Sequence, residues 1–201
     1  MEAARRLCDE RDALLCFDEV QTGVGRTGDW FAYQGTAIQP DAITLAKALA
    51  GGLPIGATIA RPQIAFGRGE HASTFGGGPV PCVAALTVLE VIEDEGLLHN
   101  ARVQGDRLAL GLAEAMRDAE LEGEPRGRGL LLGVPVGRDP GPKAVVLGLL
   151  SRGFLATEAG HEVVRCTPPL TVDPDAVDSF VDAFADTLKE TFARPVRRVA
   201  T

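Results

Sequence analysis

The chain of 201 residues is 45% hydrophobic and 24% charged, an ordinary globular composition, and it is long enough to bury the core of one or two domains. Its formal net charge of −8 argues against nucleic acid or an anionic membrane as the main partner, because both require a basic surface. The N-terminal residues lack the apolar run of a signal peptide and no stretch approaches a membrane-spanning length, so we expect a cytoplasmic protein.

The cysteines and histidines are scattered along the chain. No C-x-x-C pair occurs among the four cysteines, which are Cys8, Cys16, Cys82 and Cys166. The three histidines are His71, His99 and His161. This spacing favours buried, reduced thiols over a disulfide framework, and it predicts no metal site.

The first half of the chain has the pattern of an α/β sheet. A polar helix over residues 2–11 precedes a strand at 13–17, and short apolar runs at 42–46 and 55–60 predict further strands of a mostly parallel sheet. Apolar residues at helical spacing then predict a helix over 79–95 and another from 97 to about 122.

The second half predicts a smaller α+β domain. Its expected elements are a strand at 129–136, a helix at 142–151, strands at 153–157 and 163–166, and a helix at 174–192. Asp173 before Pro174 is typical of a helix start. We therefore predict two domains, residues 1–96 and residues 97–201.

Gly23, Gly25 and Gly28 follow the first predicted strand with the G-x-G-x-x-G spacing of a dinucleotide-binding turn. Such a turn needs its first glycine at the strand end and a helix opening at its last. Here residues 19–22 intervene, and the aromatic-rich stretch after Gly28 contains no long amphipathic helix. We interpret the glycines as an irregular loop at the carboxyl edge of the sheet.

Asp18 and Lys47 each follow a predicted strand. Asp18 is either a turn-capping carboxylate or a carboxylate presented, half-desolvated, to a cationic group. Lys47 is the one charged residue between Asp41 and Arg61, so it is either a lysine that extends to solvent or a desolvated amine nucleophile. Together, a strand-end aspartate and a lysine after the next strand form the pair that pyridoxal phosphate uses, for its ring nitrogen and its aldehyde.

Several motifs in this order resemble one family over nearly the whole chain. They are DEVQTGVGRTG, PDAITLAKALAGGLPIGA, STFGGGPV, RGRGLLLG and VVRCTPPL. The chain resembles the class III, ω-amino-acid type aminotransferases, and within them most closely the acetylornithine aminotransferases. The resemblance implies a fold-type I transferase dependent on pyridoxal 5'-phosphate, with residues 1–96 as part of the large cofactor-binding domain.

The resemblance also implies roles at the cofactor. The lysine matching Lys47 forms the Schiff base with the cofactor and moves the proton, and the aspartate matching Asp18 pairs with the ring nitrogen. The glutamine matching Gln21 contacts the phenolic oxygen side. Val20 is implied to lie against the ring face.

Two further matches concern the phosphate and the substrate. Thr74 matches a threonine that binds the cofactor phosphate of the neighbouring subunit, which implies a homodimer with a shared active site; on context alone it is an ordinary loop threonine. Arg165 matches an arginine that pairs with a substrate carboxylate, and its alternative is a surface arginine on a strand. Gly78 stands where the family usually has asparagine, and we expect it to loosen the loop that carries Thr74.

The implied activity is transfer of the ω-amino group of N-acetylornithine to 2-oxoglutarate in arginine biosynthesis. Ornithine, succinylornithine, succinyldiaminopimelate and 4-aminobutyrate stay open as donors. The resemblance begins in the middle of the family's large domain, so we expect about half of a typical chain to be missing on the N-terminal side, leaving apolar surface uncovered. The alternative hypothesis is a non-catalytic fragment or partner chain that needs a separate N-terminal half.

Overall fold

The computed structural model of the protein describes residues 1–64 and 66–192, and the chain divides into two compact units between Ala101 and Arg102. The α-helices are α1 (Glu2–Glu10), α2 (Pro79–Asp94), α3 (Leu97–Asp118), α4 (Pro142–Ser151) and α5 (Pro174–Phe192). The strands are β1 (Cys16–Asp18), β2 (Ala42–Leu45), β3 (Ala57–Ala60), β4 (Arg126–Arg128), β5 (Leu131–Pro135), β6 (Thr157–Ala159) and β7 (Val163–Cys166). No helix in the described ranges is both long and apolar enough to cross a lipid bilayer.

The sheet of the first unit has the order β1-β2-β3. Strand β1 pairs with β2 in parallel, whereas β3 pairs with β2 in the antiparallel direction. The sequence-based expectation of a mostly parallel sheet is therefore wrong for these strands. Residues 46–56 join β2 to β3, and this connection is too short for the crossover that a parallel neighbour needs, which takes about a dozen residues or more.

Side chains alternate between the two faces of this sheet. Ile43 and Leu45 of β2 are buried, while Cys16 and Asp18 of β1 are exposed on the opposite face. The prediction of four buried thiols fails for Cys16, because successive strand residues point to opposite faces and this face is open. Cys166 is the buried cysteine, and burial raises the pKa of its thiol to about 12.

Asp41 fastens α1 to the sheet through a buried carboxylate. Its Oδ2 accepts the Leu15 N–H at 2.8 Å and lies 2.8 Å from Nη1 of Arg5, and its Oδ1 lies 2.8 Å from Nη1 of Arg61. The Leu15 N–H is the largest cause, and the Arg5 guanidinium the next, of an Asp41 pKa below the usual carboxyl range. This bonding makes the buried charge tolerable.

The second unit is built on an antiparallel sheet of order β4-β5-β7-β6. Its fully buried side chains come from α3, α4, α5 and the sheet, and they include Leu108, Leu112, Leu149, Val164 and Phe184. Helix α5 begins as the sequence indicates, since Asp173 Oδ1 accepts the Ala176 N–H at 2.7 Å.

The predicted helices are confirmed, with α4 and α5 at their predicted bounds. The predicted strand at 153–157 is wrong, because Gly153 has φ 85° and the Phe154 N–H bonds back to Leu149 at the end of α4; the strand begins at Thr157. The first strand is also shorter than predicted, and β4 was not predicted. Uncovered apolar surface is confirmed on α2, where Val80, Val83 and Leu86 are exposed.

Gly105, in the interior of α3, should not tolerate a side chain. Helix propensity alone predicts that Gly105→Ala stabilises the protein by about 1 kcal/mol. However, a Cβ at Gly105 would lie 2.4 Å from the Gly129 carbonyl oxygen, so we expect destabilisation of about 1–3 kcal/mol from overpacking. Urea unfolding measures the sign, with Val103→Ala on the exposed side of α3 as a control near zero; a more stable Gly105→Ala would contradict the contact.

Asp41 should give the stability a specific acid dependence. Because folding lowers the Asp41 pKa, its contribution is complete above the ordinary carboxyl value of about 4 and is lost as the pH falls through the folded value. Asp41→Asn should therefore be less stable than the wild type at neutral pH, with a gap that narrows in acid. Urea midpoints at a series of pH values test this, and a gap independent of pH would refute it.

Candidate active site

The carboxyl ends of β1 and β2 bring the two principal predicted residues to one edge of the sheet. Asp18, the last residue of β1, is the register partner of Thr44 in β2. The Glu19 N–H extends this parallel pairing by donating to the Thr44 carbonyl at 3.0 Å. Lys47 follows β2 directly after Leu45 and Ala46. Carboxyl ends of parallel strands are the usual ligand position in α/β proteins.

Lys47 begins a short 3₁₀ helix, Lys47–Ala50, in an unusual backbone conformation. Its φ of 43° lies in the left-handed region, which few residues other than glycine adopt and which is often found at functional sites. Leu49 and Ala50 are buried and the 3₁₀ helix packs against α2, so the structure holds this conformation in place.

The expected desolvation of Lys47 is not found, because its side chain is exposed. Of its uncharged neighbours, Leu45, Leu49 and Ala50 are buried, whereas Lys47 stands at the open end of the sheet. Asp18 is exposed as well, and its Oδ1 accepts the Val20 N–H at 3.0 Å, the geometry of a local turn. In this structure Asp18 is therefore a turn-capping carboxylate, and the half-desolvated alternative is not found.

Val20 and Gln21 lie half-buried in a tight turn after β1. The Gly23 N–H closes this turn by donating to the Glu19 carbonyl at 2.9 Å. The predicted residues Asp18, Val20, Gln21 and Lys47 therefore belong to the same edge of the first unit.

The glycines after this turn form an irregular loop, as predicted, with no α-helix opening at Gly28. Val24 has φ 55° and its N–H donates to the Trp30 carbonyl at 2.8 Å, while Gly28 bonds back to Gly25. Arg26 is largely enclosed by this loop, and burial lowers the pKa of its guanidinium. The dinucleotide interpretation fails because its helix N-terminus does not exist.

Thr74 lies in an exposed loop of the first unit, before α2. In this loop the Gly76 N–H donates to Ser73 Oγ at 3.0 Å. Gly78 is the residue before the first turn of α2, with φ −59°, and an added Cβ would meet no atom closer than 3.7 Å. Neither conformation nor space requires glycine there, so the family's asparagine would fit.

Arg165 belongs to the second unit, on β7 between β5 and β6. Its side chain is half-buried, and its Nε donates to Thr157 Oγ1 at 3.1 Å. Its register partners are Gly133 and Thr157.

Sequence reasoning missed Glu19, whose side chain is only 3% exposed. Strand alternation could have found it: once Asp18 is assigned to the open face, its neighbour must point toward the interior. Asp41 was missed for a different reason, since its partners Arg5 and Arg61 lie far from it in the sequence.

The chain matches known proteins over nearly its full length. The sequence model of the family described as Aminotransferase class-III matches residues 1–188. Acetylornithine aminotransferase 1 of Bordetella pertussis is 44% identical over 196 residues, covering 96% of this chain and 49% of that protein. The acetylornithine aminotransferase of Gloeobacter violaceus is 48% identical over 176 residues, covering 87% of this chain and 44% of that protein.

Solved structures agree on the fold. Ornithine delta-aminotransferase of Plasmodium falciparum superimposes with a TM-score of 0.89 at 31% identity, covering 97% of this chain and 52% of that chain. N-acetylornithine aminotransferase of Stenotrophomonas maltophilia gives 0.84 at 34% identity, covering 96% and 51%.

The chain thus spans about half the length of the curated relatives it matches. Its described part has the fold of the fold-type I transferases, and class-III aminotransferases depend on pyridoxal phosphate. From its sequence and its fold together, this chain belongs to the class-III aminotransferase family.

Proposed function

We propose that this chain is the part of a pyridoxal-phosphate aminotransferase that carries the cofactor-binding lysine and aspartate. The observation that carries the proposal is the placement of Asp18 and Lys47 at one edge of the parallel β1–β2 pair. We further propose that the whole protein transfers the ω-amino group of N-acetylornithine to 2-oxoglutarate in arginine biosynthesis, in the cytoplasm. The names of the relatives from Bordetella pertussis and Gloeobacter violaceus support this donor.

Ornithine is the second candidate donor, because solved neighbours of this chain include an ornithine aminotransferase. Both donors present a primary amine at the end of a short aliphatic chain. The rate of the half-reaction with each donor, measured at equal concentration, distinguishes the two.

The chemical groups of Asp18 and Lys47 fit pyridoxal phosphate. A carboxylate suits a protonated ring nitrogen, and a primary amine suits an aldehyde. When bound, pyridoxal phosphate supplies an electron sink for the carbanion formed at the donor's amino carbon. In this proposal residues 1–96 are the end of the large cofactor-binding domain, and residues 97–201 are the small domain.

Asp18 would keep a proton at the ring nitrogen through a charge-assisted hydrogen bond. The turn hydrogen bond from Val20 to Oδ1 restrains the carboxylate. Gln21, on the same turn, would donate to the phenolic oxygen, and Val20 would pack against the ring.

Lys47 would hold the cofactor through Nζ and, once released by the amino donor, would move a proton between neighbouring carbons. Its left-handed backbone is fixed by the buried Leu49 and Ala50, which orients the start of the side chain. The Lys47 side chain is exposed, so the cofactor and the rest of the protein would cover it.

Arg165 would pair with a substrate carboxylate through its planar guanidinium, as the fork geometry of arginine favours. Thr74 would bind the phosphate held by a second subunit in a homodimer. Since this chain covers about half of its relatives, we expect weak cofactor binding by the 201 residues alone and rapid transamination only by the longer protein.

Lys47 should be the site of cofactor attachment. Mixed with excess pyridoxal phosphate, the wild-type chain should develop a visible absorption band, because a lysine-bound aldehyde is conjugated with the ring. Lys47→Ala should abolish this band, whereas Lys143→Ala, which removes an exposed lysine of α4, should retain it. A band indifferent to Lys47 would show that the cofactor labels surface amines, and the proposal would fail.

Arg165→Ala should raise KM for 2-oxoglutarate in the longer protein. The expected increase is about ten- to a hundredfold, since a charge-assisted hydrogen bond contributes about 1.5–3 kcal/mol. Steady-state kinetics should show a smaller change in kcat. Arg138→Ala, which removes an exposed arginine paired with Glu162, is the matched control; equal effects of both variants would remove the assigned role.

A further inference from the structure

Glu19 is a buried carboxylate immediately beside Asp18. It is 3% exposed, and a buried carboxylate is costly unless hydrogen bonds compensate for the lost water. Nothing in the roles proposed above uses this residue.

The Glu19 side chain joins two parts of the loop after β1. Its Oε1 accepts the Tyr33 N–H at 3.0 Å, and its Oε2 accepts a hydrogen bond from the Thr22 hydroxyl. Tyr33 belongs to the 3₁₀ helix Ala32–Gly35, so the carboxylate links the turn to the far end of the loop.

The Glu19 backbone joins the same turn to the sheet. Its N–H donates to the Thr44 carbonyl at 3.0 Å, and its carbonyl accepts the Gly23 N–H at 2.9 Å. A Cβ at Gly23 would lie 2.8 Å from that carbonyl oxygen and 3.0 Å from Cδ2 of Leu45, so the turn is tightly packed. We call residues 19–23 the Glu19 turn.

We propose that Glu19 is a positioning residue of the active site: its carboxylate fixes the Glu19 turn, and thereby Asp18, Val20 and Gln21, against the edge that carries Lys47. This inference rests on the proposed function. Glu19 itself is buried, whereas the neighbouring Asp18 is exposed. The Glu19 carboxylate acts through one bond within the turn, at Thr22, and one to the far end of the loop, at Tyr33.

A variant of Asp41 is the control that distinguishes this positioning role from general stabilisation. Asp41 is also a buried carboxylate of the first unit, 6% exposed, and it also accepts a backbone N–H, that of Leu15. Its side-chain partners are Arg5 of α1 and Arg61 after β3, and neither lies in the loop after β1. Loss of Asp41 should lower stability without moving the Glu19 turn.

Trp30 reports on the loop directly. It is the one tryptophan of the chain, it is half-buried, and its carbonyl accepts the Val24 N–H at 2.8 Å. Its fluorescence therefore follows the loop between the Glu19 turn and Tyr33, with or without cofactor.

The experiment compares the wild type with Glu19→Ala, Glu19→Gln, Thr22→Val and Asp41→Asn. Each protein is examined by Trp30 emission and by far-ultraviolet circular dichroism, the latter giving the folded fraction. Each is then mixed with excess pyridoxal phosphate and reduced with borohydride, and peptide mass spectrometry measures the rate of labelling at Lys47 per folded molecule.

We expect Glu19→Ala to shift Trp30 emission to longer wavelength and to slow Lys47 labelling about tenfold, as loss of two part-buried hydrogen bonds predicts. Glu19→Gln retains an acceptor and a donor for these partners and should label within about twofold of the wild type. Thr22→Val removes one bond and should fall between them, which keeps the test valid if Glu19→Ala does not fold. Asp41→Asn should be less stable, with wild-type emission and labelling.

Equal labelling of the wild type, Glu19→Ala and Thr22→Val would overturn the positioning role while leaving the proposed function intact. Slower labelling of Asp41→Asn to the same extent would also overturn it, since the effect would then be general instability. A wild-type protein that is not labelled at Lys47 would instead overturn the proposed function, and this inference with it.

Discussion

The parallel pairing of β1 with β2 is the interaction on which the candidate site depends. Asp18 and Lys47 lie far apart in the sequence, and only this pairing places both at the carboxyl edge of one sheet. The hydrogen bond from the Glu19 N–H to Thr44 extends the pairing to that edge. Parallel strands end on the same side by construction, so two unrelated chain segments can present complementary groups to one ligand.

The interiors of the two units differ in their polarity. Among the described residues of the first unit, two carboxylates are buried, and each accepts one backbone N–H: Asp41 that of Leu15, and Glu19 that of Tyr33. The second unit has a continuous apolar core that includes Leu108, Leu112 and Phe184. Specific polar contacts thus shape the part that carries the proposed cofactor residues, since directional bonds fix loops that apolar packing would leave adjustable.

Local signals predicted the helices well. In α4 and α5 the apolar spacing and the proline of the first turn lie within the helix itself, and Asp173 caps α5 from the preceding position. Predictions that depended on distant residues were less successful. Strand pairing and the cover over each face decide three features that were predicted differently. They are the antiparallel direction of β3, the exposure of Cys16 and the exposure of Lys47.

The sequence by itself determined the family resemblance, the identity of the candidate residues Asp18, Gln21, Lys47, Thr74 and Arg165, and the helical segments, because each rests on short motifs or local periodicity. Only the tertiary structure decided that Lys47 has a left-handed backbone, that Asp18 shares its edge, and that Glu19 is buried beneath the turn. The shared edge and the buried Glu19 depend on hydrogen bonds between separate segments, and the Lys47 backbone is held by packing of its 3₁₀ helix against α2. No local pattern specifies such bonds, because their geometry exists only when the strands have paired.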